Sequence, residues 1–143
     1  MWERFTNNPL GKSVGDCSVR AIAKVTNQSW IWAYVQLCIQ GLMMADMPNS
    51  DAVWGAFLKT NGFRRYVIPD SCPDCYTISD FAKDHQQGTY AVGTGSHVVA
   101  VINGIYFDSW DSGNEVPYPD RRRCIERDSR YPSETERTYC TGS

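Results

Sequence analysis

Three side chains in this sequence have the types and the order that nucleophilic catalysis needs: Cys17, His97 and Asp108. In such a set a thiolate attacks an acyl carbon, an imidazole moves the protons, and a carboxylate fixes the tautomer and orientation of the imidazole. Apolar residues recur at helical spacing after Cys17, and Asp16 before it is a favourable N-cap. Cys17 is therefore predicted in the first turn of a helix, where the helix N-terminus lowers a thiol pKa.

A predicted hairpin gives the relative positions of the other two residues. Asn103-Gly104 joins two strand candidates, and this dipeptide favours a two-residue hairpin turn. Because side chains alternate along strands, that turn places His97, Asp108 and Trp110 on one face, with Asp108 diagonal to His97 and within side-chain reach. A bulge would shift the register and make Asp111 the rival of Asp108.

The elements that position these residues are predicted to be helices first and antiparallel strands afterwards. The helices are predicted from Asp16 to about Asn27, over 30–44 after a Ser29 cap, from Ser50 to Asn61-Gly62, and over 79–86; the strands over 63–68, 89–94, 97–102 and 105–110. Aromatic and apolar stripes at helical spacing are expected to pack the core: Trp30, Tyr34, Leu37 and Cys38, then Trp54 and Phe57. This order favours one α+β domain over 1–143, with a core at about 7–112 and an irregular tail at 113–143.

Composition and charge restrict the class of protein. The chain has 143 residues, 42% of them hydrophobic and 21% charged, which suits one globular domain. A formal net charge of −2 argues against a nucleic-acid partner. The start has no apolar signal-peptide region, and no apolar run is long enough to cross a bilayer, so a soluble cytoplasmic protein without a membrane partner is expected.

The six cysteines are expected to be reduced in that compartment. Cys72 and Cys75 form a CxxC pair, which can begin a zinc site or take part in redox exchange. Cys124 and Cys140, with His85, are the candidates to complete a zinc set, but the separations match no zinc-ribbon spacing. The favoured interpretation is that these are loop cysteines without a role. A zinc site or a Cys124–Cys140 disulfide stays open as an alternative. No metal or cofactor is expected.

Three short patches of the chain resemble papain-like cysteine peptidases. They are Gly15-Asp16-Cys17-Ser18-Val19-Arg20-Ala21-Ile22, Gly95-Ser96-His97-Val98-Val99-Ala100-Val101 and Asp108-Ser109-Trp110. Members of that superfamily have the Cys on a helix, the His on a strand and an Asn or Asp on the next strand, often followed by Ser-Trp. In the resemblance Trp110 takes the position that shields the site from water. The stretch 8–23 also looks like small papain-like proteins of bacteria and their phages.

The resemblance implies a papain-like α+β domain in which the nucleophile begins a helix packed on a small antiparallel sheet. It implies a thiol-dependent acyl hydrolase, above all a cysteine peptidase or isopeptidase, acting on a protein or peptide, in the host cytoplasm if the chain is phage-encoded. Two alternatives stay open: a catalytically inert papain-fold protein that binds or inhibits a host protein, and an acyl transferase or deamidase with the same triad.

The chain departs from the family at the oxyanion hole. Papain-like enzymes usually carry a Gln a few residues before the Cys, and none is present here. The backbone N–H of Cys17 with a side-chain donor from Asn8, Asn7 or Lys12 is the alternative, and Asn8 is preferred.

Overall fold

The structure, a computed structural model, describes residues 1–66, 68 and 75–116, and the backbone of 123–127 and 138–139. Within these residues the helices are α1 (Cys17–Thr26), α2 (Trp30–Met44), α3 (Asp51–Thr60) and α4 (Ile78–Asp84). The strands are β1 (Trp2–Arg4), β2 (Phe63–Tyr66), β3 (Thr89–Thr94), β4 (His97–Ile102), β5 (Ile105–Asp108), β6 (Arg123–Arg127) and β7 (Thr138–Tyr139). The α+β prediction is confirmed.

The strands form one mixed sheet in the order β1-β5-β4-β3-β6-β2-β7. The central pairs are antiparallel, as predicted, but β1 joins β5 in parallel at one edge and β7 joins β2 in parallel at the other. The expected irregular tail at 113–143 is therefore wrong at 123–127 and 138–139, and β6 pairs with both β3 and β2. A short strand with few apolar residues shows no clear alternation of apolar and polar residues in its sequence. Such a strand forms because it pairs with strands that are distant in the chain.

The predicted hairpin is confirmed in turn type and register. Asn103 and Gly104 have φ angles of 50° and 79°, and Val101 pairs with Tyr106. The positive φ at both positions matches the twist of the flanking strands, which is the reason this dipeptide suits the turn. β5 is shorter than the predicted 105–110, because the chain bends after Asp108.

Apolar side chains cover both faces of the sheet. One cluster joins α1, α2 and α3 to the sheet and includes Ile22, Val25, Leu37, Trp54, Phe57, Phe63, Val98 and Ala100. The other lies between the sheet and α4 and includes Ile78, Phe81, Val92, Val99, Val101 and Tyr106. Because α1 packs on β4, the start of α1 is fixed close to the strand that carries His97.

The orientation of α2 differs from the predicted one. Its buried face is Ala33, Leu37 and Gly41, whereas Tyr34 is 48% exposed. At Gly41 an added Cβ would lie 2.7 Å from the carbonyl oxygen of Asp46, so this helix face approaches the following loop too closely for a side chain. Since α2 has no charged residue and only two polar side chains, Gln36 and Gln40, periodicity alone does not identify its buried face.

No helix in the described part of the chain combines the length and the apolar character needed to cross a lipid bilayer.

Candidate active site

Cys17 is the first residue of α1, and Asp16 holds the N-cap position. The Asp16 side chain makes no capping hydrogen bond, contrary to the sequence expectation. Its Oδ1 accepts from Nη1 of Arg20, and its Oδ2 accepts from Nε1 of Trp30 at 2.8 Å. A charged donor forms a stronger hydrogen bond than a backbone amide does, which explains this choice of partner. The N–H groups of the first turn therefore remain without a side-chain cap beside the Cys17 sulfur.

The structure brings Cys17, His97 and Asp108 together at the end of the sheet. His97 begins β4 and Asp108 ends β5, and Nε2 of His97 lies 2.5 Å from Oδ2 of Asp108. The Cys17 side chain lies close enough to the His97 ring for each group to shift the pKa of the other. Because Asp108 occupies Nε2, the ring nitrogen left to serve Cys17 is Nδ1. His97 therefore lies between the thiol and the carboxylate.

The electrostatics of this three-residue site favour a charged thiol and a charged imidazole. Burial on its own would lower the pKa of His97, but the hydrogen bonds with Asp108 and Cys17 raise it to about 9. Burial likewise opposes ionisation of Cys17, yet the hydrogen bonds with His97 and with the backbone of Val98 bring the thiol pKa below its usual value. The positive charge of Arg20 acts in the same direction. The site is therefore built for a thiolate–imidazolium pair.

Asp108 is 1% exposed and is held from two sides. Its Oδ2 faces His97, while its Oδ1 accepts from Nη2 of Arg20 at 2.8 Å and from the backbone N–H of Ser109 at 2.7 Å. Burial would raise the pKa of Asp108, but the hydrogen bond with His97 and the other donors lower it, so the carboxylate stays charged. The imidazole thus has a fixed, charged orienting partner.

Arg20 is the residue that the sequence reasoning missed. It is 7% exposed, and its guanidinium bridges Asp16 and Asp108, one carboxylate at each end. The spacing of four between Asp16 and Arg20 is a signal for a helical ion pair. The contact with Asp108 has no such local signal, because it joins distant parts of the chain.

Asp111, the rival carboxylate, has other partners. Its Oδ1 accepts from the hydroxyl of Tyr106 at 2.7 Å and from the backbone N–H of Gly113 at 3.1 Å. Burial, together with this hydrogen bond, raises the pKa of Tyr106 to about 12. The register of β4 and β5 includes no bulge that would bring Asp111 to His97.

Trp110 lies beside the imidazole, with its ring centroid 5.6 Å from that of His97. Its side chain is 47% exposed, so one part of the indole contacts solvent and another covers His97. In the papain-like resemblance, the residue at this position shields the site from water.

The three oxyanion-hole candidates have different surroundings. Oδ1 of Asn8 accepts from the backbone N–H groups of Leu10 and Lys12, which folds the exposed loop before α1. This arrangement leaves the amide nitrogen of Asn8 available as a donor. Asn7 lines a cavity of about 300 Å³ beside Lys24, about two turns along α1 from Cys17. The side chain of Lys12 is exposed.

The low-priority zinc set lies mostly outside the described residues. The structure does not describe Cys72 or Cys140, and it describes only the backbone of Cys124. The Cys124–Cys140 bridge considered from the sequence therefore also lies outside the described residues. Cys75 is exposed. His85 is half-buried rather than exposed, because its ring stacks on Phe81 at a centroid distance of 3.8 Å. Among the described residues no group of three or more His, Cys, Asp or Glu side chains is arranged to hold a metal ion.

Comparisons of the chain with protein-family models, with curated proteins and with solved structures find no match. The functional interpretation therefore depends on the site itself. A thiolate at a helix start, an imidazolium within hydrogen-bond reach and a buried carboxylate behind it can together transfer an acyl group.

Proposed function

We propose that this protein is a thiol-dependent acyl hydrolase with a papain-like fold, acting as a cysteine peptidase or isopeptidase. The observation that carries the proposal is the placement of His97 between Cys17 and Asp108, with Nε2 of His97 lying 2.5 Å from Oδ2 of Asp108. The order of the elements supports it, since the nucleophile begins a helix and the other two residues lie on consecutive strands. Arg20 acts as a positioning residue, since its hydrogen bond to Oδ1 of Asp108 holds that carboxylate with Oδ2 directed at His97.

The mechanism follows from the positions of the protons. The Cys17 thiolate attacks the carbonyl carbon and forms a C–S bond, while the N–H groups at the start of α1 and the Asn8 amide stabilise the oxyanion. When the C–N bond breaks, Nδ1 of His97 gives its proton to the leaving amine. His97 then takes a proton from water, which attacks the thioester and releases the acid and the Cys17 thiolate, so the starting ion pair is restored. Nε2 stays bonded to Asp108 throughout, so the ring does not rotate.

The surroundings of Cys17 favour a protein or peptide as substrate. The loop before α1 is exposed, and it presents two apolar side chains, Leu10 and Val14, which are 76% and 50% exposed. Such side chains can bind an extended peptide next to the nucleophile by burying its apolar groups. With a net charge of −2, the protein is proposed to act on this substrate in the cytoplasm and without nucleic acid.

Selective alkylation tests the site. At pH 7 a limiting amount of iodoacetamide is expected to modify Cys17 before the other five cysteines, because only the thiolate reacts and Cys17 has the activating partner. Peptide mapping by mass spectrometry gives the order of labelling. His97→Ala is expected to abolish the preference, whereas His85→Ala, which removes the second histidine, is expected to leave it unchanged. Equal labelling of all six cysteines, or labelling led by Cys72, would overturn the assignment of the nucleophile.

Turnover separates the proposed hydrolase from the alternatives. With the 4-nitrophenyl ester of an N-acyl amino acid, Cys17 is expected to gain the acyl mass, release nitrophenolate and then lose the acyl group to water. Cys17→Ala is expected to abolish the burst, and Cys38→Ala to retain it. A stable acyl-enzyme that only an added amine resolves would indicate a transferase, and no acylation would indicate a binding protein. A proteome-wide comparison of new termini between wild type and Cys17→Ala then identifies substrates.

The pH dependence is expected to differ between alkylation and hydrolysis. Alkylation needs only the thiolate, and the pKa of Cys17 is lowered. The alkylation rate is therefore expected to rise at a pH below about 8.5, the pKa of an ordinary thiol. Hydrolysis of a peptide amide also needs the proton on His97, so its rate falls as the pH rises through about 9. Rate constants measured from pH 4 to 10.5 give both curves.

A rise of the alkylation rate centred near the ordinary thiol pKa would contradict the proposed ion pair. Free cysteine, alkylated in the same buffers, is the control for the intrinsic pH dependence of the reagent.

A further inference from the structure

Helix α2 has an apolar face directed away from the core. Ile31, Val35, Cys38 and Leu42 follow one another at spacings of four, three and four residues, and Leu42 is 84% exposed. Further exposed apolar side chains lie on both sides of this stripe: Tyr34, Ile39 and Met43. We call these seven residues the α2 outer face. No element in the described part of the chain packs on its most exposed members.

The α2 outer face has no charge to keep it in water. None of the 15 residues of Trp30–Met44 is acidic, basic or a histidine. A helix without charges is usually largely buried, whereas here Ala33, Leu37 and Gly41 are buried, Trp30 and Trp32 pack in part against the core, and the α2 outer face is exposed. Contiguous exposed apolar surface of several hundred Å² marks an interaction site.

We propose that the α2 outer face binds the same face of a second copy of this chain, forming a symmetric dimer. Spacings of four, three and four residues are those by which one helix packs along another. Because the face has no charge, two identical faces meet without repulsion, as a two-fold interface requires. A membrane surface fits less well, since interfacial helices carry Lys and Arg on their polar side and α2 has neither.

The area agrees with a dimer. From their exposed fractions, the side chains of the face offer on the order of 600 Å² of apolar surface per copy, so complete burial of both faces would remove at most roughly 1,200 Å² from water, which reaches the lower bound for a stable specific interface. In an antiparallel two-fold pair, Ile31 lies opposite Leu42 of the second copy, and Val35 lies opposite its Cys38. The inference does not depend on the proposed catalytic function.

Sedimentation tests the dimer, with the mass of one chain being 16.2 kDa. The wild type is expected to sediment at twice that mass in the micromolar range. Leu42→Glu places a charge opposite Ile31 at each end of the two-fold interface and is expected to weaken dimerisation by roughly 100-fold or more. Leu10→Glu, an equally drastic change at a 76% exposed leucine outside α2, is expected to leave the dimer intact. Urea unfolding of both variants at equal concentration shows that each is folded.

Cross-linking tests the geometry. In a Cys38→Ala background, Ile31→Cys with Leu42→Cys is treated with diamide, which accepts the two electrons and two protons released by each new disulfide. The antiparallel dimer is expected to give a link from residue 31 of one copy to residue 42 of the other, and either single cysteine is expected to give none. Links between 31 and 31 and between 42 and 42 would overturn the proposed arrangement.

A monomeric wild type, a dimer unaffected by Leu42→Glu, or monomers that bind phosphatidylcholine vesicles through Leu42 would overturn the proposal.

Discussion

Replacing Arg20 with methionine is expected to lower the free energy of unfolding by about 3–5 kcal/mol. The guanidinium is the charged group that joins Asp16 and Asp108, which are 7% and 1% exposed. Methionine retains much of the side-chain volume but leaves both carboxylates buried beside an uncharged group. Urea unfolding followed by fluorescence of the tryptophans measures the loss.

The matched control is Arg4→Met, because Arg4 is exposed on the edge strand β1. That change is expected to stay within about 0.5 kcal/mol of the wild type. Adding Asp16→Asn to Arg20→Met is expected to restore part of the stability, since Asp16 loses its ion pair with Arg20 whereas Asp108 keeps its contact with His97. If Arg20→Met and Arg4→Met cost the same, the bridge does not stabilise the fold.

Replacing Asp108 with asparagine is expected to cause the largest loss of reactivity short of removing Cys17 or His97. The amide oxygen can still accept a hydrogen bond from Nε2, but the negative charge that helps to raise the pKa of His97 to about 9 is lost. The imidazole then loses its proton nearer its ordinary pKa of about 6.5, and Cys17 loses the adjacent cation at pH 7. Alkylation at pH 7 is expected to slow by about 10-fold or more, and acyl hydrolysis by about 10²–10⁴.

The control for this variant is Asp111→Asn, which removes a neighbouring carboxylate that contacts Tyr106 instead of His97. Its alkylation rate is expected to equal that of the wild type. Near-ultraviolet circular dichroism establishes that each variant is folded before its rate is measured. Equal rates for Asp108→Asn and wild type would show that Asp108 does not tune the thiol, and slowing by Asp111→Asn alone would give the role to Asp111.

The parts of the fold that follow from local signals are those the sequence predicts well. The start of α1 at Cys17, the Asn103-Gly104 turn and the register of β4 with β5 depend on residues close together in the chain. Once the turn type is known, the diagonal placement of His97 and Asp108 follows from the alternation of side chains. The hydrogen bond between His97 and Asp108 has the diagonal placement that this alternation predicts.

The features that the sequence does not predict depend on distant contacts. Strand β6 forms by pairing with β3 and β2, which are distant in the sequence. The contact between Arg20 and Asp108 depends on the packing of α1 on the sheet. The Asp16 side chain was expected to cap α1, but a buried arginine competes for it. Which side of α2 is buried also depends on its neighbours, because most of its residues are apolar and none is charged.

The guanidinium of Arg20 ties the carboxylate of Asp108 to the same helix turn that begins with Cys17. Since the chain is synthesised from its N-terminus, Cys17 leaves the ribosome long before His97 and Asp108 do. Until the hairpin folds against α1, the thiol lacks the imidazole and the buried carboxylate that activate it. A nascent or partly unfolded chain therefore carries a thiol of ordinary reactivity, and the lowered thiol pKa develops only when the hairpin has packed against α1.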